Sequence, residues 1–218
     1  TGVFGIDLET DLVPVRPAVH YFVGGIRADL EGRTSLPGLR ATGECAATGF
    51  HGANRMGSNS LLEGLVHGRR IGRALAEGFA RADRRPLLPP PGGHTKPEGA
   101  DLHLLDMTYS LKSLMWRQVG VEREKAGLED AMTRLEAWEG YLAHLGPFTP
   151  AGVEIANMVQ VAQALTLAAL FRKETRGTHF RTDHPSAEDS WRCHTVLTAD
   201  AGGLHIRSRP ASVLEGSV

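Results

Sequence analysis

The sequence predicts an α/β segment followed by a three-helix bundle with an irregular tail, on three observations. Short Gly-rich apolar runs fill residues 1 to about 80, long helical periodicity fills 101 to about 174, and a Pro-rich stretch separates them. The 218 residues suit one large domain or two small ones, and 41% hydrophobic content is enough for a core. The separator, Arg84-Arg85-Pro86-Leu87-Leu88-Pro89-Pro90-Pro91-Gly92-Gly93, can continue neither a helix nor a central strand. A linker is expected there, dividing the chain into 1–98 and 99–218.

In the first part, Tyr21 to Asp29 followed by Glu31 to Thr34 reads as strand, tight turn, strand, and Leu39 to Glu44 as another short strand. After a polar Gly-rich loop from Thr48 to Gly57, Leu61, Leu62, Leu65, Val66, Ile71, Leu75 and Phe79 mark a helix over Ser60–Ala80. Ser58 or Asn59 suits its N-cap, and Glu63 can close a capping box if Ser60 is the cap. In the second part, the segment from Asp101 to Val119 forms a first helix, and Leu128, Met132, Leu135, Trp138 and Leu142 form the apolar stripe of the next, which Gly146-Pro147 stops. Thr149-Pro150 opens a third as N-cap and first helical residue, with Val153, Ala156, Val159, Ala162 or Gln163, Leu167 and Leu170 carrying it onward. The three make a small, roughly antiparallel bundle. Trp116, Trp138 and Trp191 read as packing residues. From Thr175 the periodicity ends, and Thr195–Thr198 can pair with Leu204–Arg207 as a hairpin across Asp200-Ala201-Gly202-Gly203.

Composition excludes several classes. With 24 Lys+Arg against 25 Asp+Glu and no long basic run, there is no electrostatic footprint for nucleic acid or an anionic membrane. The most apolar stretch, Val159 to Phe171, is too short to span a bilayer and reads as a buried helix. Cys45 and Cys193 allow at most one disulfide and no four-cysteine zinc site, which suits a reducing cytoplasm, and no metal is expected. Neither an initiator Met nor a secretory pattern stands at Thr1, so the chain reads as starting within a longer protein.

No G-x-G-x-x-G, Walker A, H-E-x-x-H or G-x-S-x-G pattern occurs. What remains is His51-Gly52-Ala53-Asn54-Arg55 running into Ser58-Asn59-Ser60-Leu61-Leu62-Glu63. A loop with Arg55 and His51 before a helix N-terminus suits an anion, since Arg offers a planar fork to a carboxylate and the helix start adds unpaired N–H donors. The same spacing equally suits an Arg55 that only holds the loop through carbonyls and a Ser58 that only caps.

Taken together, Pro17-Ala18-Val19-His20-Tyr21 with Gly24-Gly25, then Gly38-Leu39 to Gly43-Glu44, then Thr48-Gly49-Phe50-His51-Gly52-Ala53-Asn54-Arg55, then Ser58 to Glu63, resemble the flavoprotein family of succinate dehydrogenase, fumarate reductase and L-aspartate oxidase. Thr48-Gly49 before His51 and the Ser-Asn-Ser-Leu-Leu-Glu run look most like the L-aspartate oxidase branch. Arg172 to His179 resembles the end of the family's helical domain. The tail Glu188-Asp189-Ser190-Trp191-Arg192-Cys193-His194-Thr195 also resembles the ending of succinate dehydrogenase flavoproteins.

The resemblance implies a C-terminal portion of such an enzyme: the end of a capping region and the C-terminal segment of an FAD-binding α/β domain, then the helical domain. The dinucleotide fingerprint and the capping domain that carries the proton-donating Arg would lie in an N-terminal half outside this chain. It implies noncovalent FAD, held by Glu44 on the ribityl hydroxyls and by Asn59, Ser60 and Leu61 at the pyrimidine edge. It implies His20 and Arg55 as clamps on the carboxylates of a dicarboxylate such as L-aspartate, with His51 and Ser58 in support. The expected reaction is oxidation of L-aspartate to iminoaspartate with oxygen or fumarate as acceptor, in the cytoplasm. Quinolinate synthase would act next, on the way to NAD. The alternatives are a succinate dehydrogenase or fumarate reductase flavoprotein subunit with an iron–sulfur partner, and a non-catalytic helical interaction fragment.

Overall fold

A computed structural model describes residues 5–15, 17–78, 103–145, 149–200 and 203–210. In chain order the elements are β1 (Ile26–Arg27), β2 (Ala46–Ala47), α1 (Asn59–Gly78), α2 (Leu104–Gln118), α3 (Lys125–Leu145), α4 (Pro150–Phe171), β3 (Cys193–Asp200) and β4 (Gly203–Pro210). The expected linker at 84–93, the boundary at 98 and the Gly146-Pro147 stop lie outside the described residues.

The helices α2, α3 and α4 share one core. Met107, Leu111 and Leu114 from α2, Leu128, Ala131 and Leu135 from α3, and Ile155, Val159, Ala162 and Ala169 from α4 are buried together, with Trp138 and Leu142 packed at the edge. The expected α3 stripe is thus buried at Leu128 and Leu135 and packed at Trp138 and Leu142, while Met132 is half-buried and Ala131 takes the core position beside it. On α4 the buried stripe is Gly152, Ile155, Val159, Ala162, Thr166 and Ala169. Val153, expected to face inward, is 43% exposed. A helix apolar on nearly every side does not reveal its inward face by periodicity, and packing against α3 and α2 decides it. At 22 residues α4 is also longer than the expected apolar stretch. Among the described residues it is the one helix long and apolar enough to cross a membrane by length and composition, yet here its inner face lies in the bundle core.

Thr149 caps α4 as expected, its Oγ1 accepting from Gly152 N at 3.0 Å with Pro150 as the first helical residue. Thr149→Ala is expected to lower stability by about 1 kcal/mol, read as a shift of the urea midpoint at unchanged slope. The hairpin also forms and is longer than expected, with Thr195 opposite Ser208 and Thr198 opposite His205.

The N-terminal segment departs further. The expected strand Tyr21–Asp29 contributes only Ile26–Arg27, and these pair in parallel with Ala46–Ala47 rather than with Glu31–Thr34. The tight turn survives: Asp29 O accepts from Gly32 N at 2.9 Å, and the Asp29 carboxylate accepts from the N–H groups of Glu31 and Arg33 and from Arg33 Nε. Of the expected strand Leu39–Glu44 only Arg40 bridges, to Arg33, and Gly43–Cys45 is a helical turn. Gly25 explains part of this. At φ 123° its missing Cβ would lie 2.3 Å from Cys45 O, so the chain swerves there to approach the β2 end instead of extending.

Helix α1 starts at Asn59 with Ser58 before it, near the expected start. Its buried face carries Glu63, His67 and Ile71, while Leu61, Leu62, Leu65 and Val66 stand 75%, 57%, 72% and 49% exposed. Of the apolar positions read from the sequence, Ile71 is therefore buried beside Glu63 and His67, while Leu61, Leu62, Leu65 and Val66 face outward here.

Candidate active site

The loop from Thr48 to Gly57 runs between β2 and α1, and the His20–Phe22 segment lies against it. Tyr21 is the hub. Its ring meets the His51 ring edge-on at 5.3 Å, and the Arg55 guanidinium stacks on its face, 5.0 Å from the centroid. The phenol's pKa is raised, first by burial and then by the carboxylates of Glu63 and Glu44, with Arg55 opposing. Next along the chain, Phe22 N donates to Glu44 Oε1 at 2.8 Å. One short segment thus ties together Glu44, His51 and Arg55, three of the expected site residues.

His51 is held from two more sides. Phe50 packs on it at 5.2 Å between ring centroids, and His51 Nε2 lies 2.8 Å from Glu63 Oε2, with both side chains nearly buried. That pair is not aligned as a hydrogen bond, and His51 Nδ1 is likewise without a partner. Glu63 Oε1 instead accepts from the Thr48 hydroxyl at 2.5 Å. The expected capping box is therefore not made: Glu63 turns inward to Thr48 and His51 rather than back to the start of its own helix. A carboxylate this buried needs donors, and the Thr48 hydroxyl supplies one to Oε1 while Oε2, facing the His51 ring, has no aligned hydrogen bond among the described residues.

Arg55 is half-buried, and its described side-chain hydrogen bond is a long one, Nη1 to Met56 O at 3.5 Å. Most of its guanidinium donors are thus available to a ligand. His20 is exposed, and among the described residues no hydrogen bond or ion pair joins it to Arg55. Ser58 is exposed with φ 68°, the one left-handed non-glycine among the described residues. It occupies the N-cap position without the extended backbone of an ordinary cap. Beyond it, Asn59 N donates to Met56 O and Leu62 N to Ser58 O, while the N–H groups of Ser60 and Leu61 have no acceptor among the described residues. Two adjacent free donors at the start of a 20-residue helix form an anion-favouring end.

These features suit an elongated flavin. Glu44, at the solvent-exposed start of the segment, keeps one oxygen on Phe22 N and leaves the other for hydroxyl donors. The Ser60 and Leu61 donors suit a carbonyl or developing negative charge. The residues present fit the group. An open apolar groove of about 590 Å³ between α2 and α4, including Leu111, Met115, Val153, Met158 and Leu165, shares no residue with this loop. Among the described residues no group of His, Cys, Asp and Glu could hold a metal, and both cysteines are free.

Tyr21 and Glu63 were missed from sequence as site residues. Tyr21 stands beside His20 in the block that carried the resemblance. Glu63 carried a signal, but its three-residue spacing from Ser60 matched a local cap.

Residues 3–61 match the family model of an FAD binding domain, and residues 149–215 match that of the fumarate reductase flavoprotein C-terminus. The L-aspartate oxidase of Rhodospirillum rubrum is 38% identical over 211 residues, covering 96% of this chain and 72% of that one. This chain belongs to the L-aspartate oxidase family. The L-aspartate oxidase of Streptomyces coelicolor is 42% identical over 205 residues, which cover 88% of this chain and 35% of that enzyme. The chain therefore spans about a third of that relative's length. Among solved structures, a quinol-fumarate reductase with menaquinol molecules superposes with a TM-score of 0.81 at 26% identity, over 96% of this chain and 40% of that one. The fold is that of the wider flavoprotein family, while the sequence relatives carry the L-aspartate oxidase name. The first segment of this chain accordingly contributes to an FAD-binding domain.

Proposed function

We propose that this chain supplies the C-terminal part of a cytoplasmic, FAD-dependent L-aspartate oxidase, with residues 1–98 completing the flavin domain and 99–218 forming the helical domain. The observation that carries the reading is the convergence of Glu44, His51 and Arg55 on Tyr21-Phe22 beside the free N–H donors of Ser60 and Leu61. The outward apolar face of α1 supports it as well. Leu61, Leu62, Leu65 and Val66 form a stripe that the remainder of a flavin domain would cover.

In this reading Arg55 takes one carboxylate of L-aspartate through its planar fork, and His20 takes the other. Ser58 and His51 complete the carboxylate surroundings, and Glu63 and Thr48 fix the His51 ring. Glu44 accepts from the ribityl hydroxyls, and Asn59, Ser60 and Leu61 hold the pyrimidine edge at the positive end of α1. When bound, FAD would supply the acceptor for the hydride from the substrate Cα; with the ammonium proton passing to solvent, the substrate would become iminoaspartate, and oxygen or fumarate would be the final oxidant. The clamp's contribution is orientation, which holds the Cα–H in one place at no cost during the reaction itself. Iminoaspartate is the substrate that quinolinate synthase would take.

The test is anaerobic mixing of the complete enzyme with L-aspartate and, separately, with succinate. Bleaching of the flavin absorbance by aspartate alone, with a flavin released on acid precipitation, is the expected result. Bleaching by succinate, with a flavin that stays on the protein, would move the chain to the dehydrogenase branch.

A further inference from the structure

The tail after α4 reaches back across the molecule to the substrate loop. Arg176 and His179 exchange both backbone hydrogen bonds, at 2.8 and 3.0 Å, which leaves Gly177 and Thr178 as the tip of a tight turn. At that tip Thr178 N donates to Ala53 O at 3.0 Å, and the Thr178 hydroxyl approaches the same oxygen at 3.4 Å. Gly177 has φ 59°, and a Cβ there would lie 2.1 Å from Ala53 O and 2.5 Å from its carbonyl carbon. The tip therefore abuts the backbone of Ala53, two residues from His51 on one side and two from Arg55 on the other.

The turn is anchored independently of the loop. Glu174, fully buried, pairs with Arg172, and both its oxygens accept from Arg176 Nε, at 3.0 and 3.1 Å, while His179 Nε2 lies 3.0 Å from Arg172 O. Arg176 also donates to Glu188 O at 2.8 Å. A stiff turn pressed against a loop carbonyl acts as a stop for that loop.

We propose that Gly177 and Thr178 are positioning residues for Arg55. By holding the Ala53 carbonyl, the tip of the 176–179 turn sets where the His51–Arg55 loop sits, so the helical domain and the dicarboxylate clamp are coupled through this contact. The proposal rests on the reading of Arg55 as the carboxylate clamp. Its structural requirement is severe: glycine is needed at 177 both for the left-handed backbone and because a side chain has no room before Ala53 O.

Gly177→Ala in the complete enzyme is expected to raise the KM for L-aspartate 10-fold or more with kcat changed less than 3-fold and the flavin spectrum unaltered, because only the clamp is displaced. In this chain itself, without flavin, the same substitution is expected to speed amide hydrogen exchange in 49–57 while α3 and α4 stay protected. Thr178→Ala, which keeps the backbone donor, serves if Gly177→Ala does not fold, and is expected to raise KM two- to threefold. A folded Gly177→Ala enzyme with wild-type KM and wild-type loop exchange overturns the proposal, as does a wild-type KM for Thr178→Ala where that variant must decide. If Arg55→Ala itself leaves KM unchanged, the reading of Arg55 fails. If Arg55→Ala raises KM and Gly177→Ala does not, only the positioning role fails.

Discussion

Replacing Arg55 with Ala in the complete enzyme is expected to raise the KM for L-aspartate roughly 10²-fold while leaving flavin content and visible spectrum near normal. The magnitude follows from losing two charge-assisted hydrogen bonds to one carboxylate, about 3 kcal/mol in all. The selectivity follows from where Arg55 sits. Its described contacts are the Tyr21 face and Met56 O, while Glu44 is held by Phe22 N and the Ser60 and Leu61 donors belong to the helix start. Removing the guanidinium therefore leaves the groups proposed to hold the flavin in place. Arg55→Lys refines the test, since an ammonium keeps the charge but loses the planar fork and much of the stacking on Tyr21. Its KM should fall between wild type and Arg55→Ala. Loss of flavin with unchanged substrate affinity would instead assign Arg55 to the cofactor, and steady-state kinetics beside the absorbance spectrum separates the two.

What the sequence revealed follows the range of the interactions. Thr149-Pro150 is local chemistry, a hydroxyl three residues before the N–H it accepts, and the cap forms as read. The α3 stripe was largely legible because a polar face contrasts with it, whereas α4 lacks that contrast: Val159 and Ala162 are buried as read, but Val153, Ala156, Leu167 and Leu170 give way to Gly152, Ile155, Thr166 and Ala169. Glu63 shows a local rule losing to a distant one. Its spacing from Ser60 fits a capping box, yet the carboxylate turns inward, where the Thr48 hydroxyl donates to it and the His51 ring packs beside it. The parallel pairing of Ile26–Arg27 with Ala46–Ala47 was also hidden, because adjacency in sequence favours a hairpin and Gly25 redirects the chain. The meeting of Thr178 with Ala53 joins residues 125 apart, and no periodicity or short motif records it. For the site, the separated blocks carried the family resemblance, while the hub at Tyr21 became visible only once the blocks were brought together.

The largest stability effect should come from the tail's buried charge. Arg181 is 1% exposed, its Nε and Nη2 hold both oxygens of Asp183 at 2.7 and 2.6 Å, and its Nη1 donates to Ala169 O at 2.7 Å. It thus supplies a donor for the carbonyls that α4 leaves open at its C-terminal end. Arg181→Met keeps much of the volume but leaves the Ala169 and Leu170 carbonyls short of a donor and the exposed Asp183 carboxylate without its guanidinium, which should cost about 1–3 kcal/mol, a sizeable share of the stability of an ordinary domain. A pH signature separates this from simple repacking. Hydrogen bonds from Arg181, and then its charge, hold the Asp183 carboxyl at about 2 against partial desolvation. The unfolded chain therefore takes up this proton first on acidification. The ion pair's contribution is fully present above about pH 4 and is lost as pH falls toward the folded value of about 2. His179 acts in a higher window. Burial above all, with Arg123, Arg172 and Arg181 nearby, pushes its imidazole down to about 4, so the unfolded state gains a proton between its ordinary 6.5 and that value and stability falls there too. Urea midpoints at successive pH values should show wild type losing stability in both windows. Arg181→Met should shrink the lower one, since the hydrogen bonds and charge of Arg181 are the largest causes that depress the Asp183 carboxyl, and His179→Gln should flatten the upper one alone. Equal acid slopes in wild type and Arg181→Met would mean that the buried arginine contributes packing rather than charge.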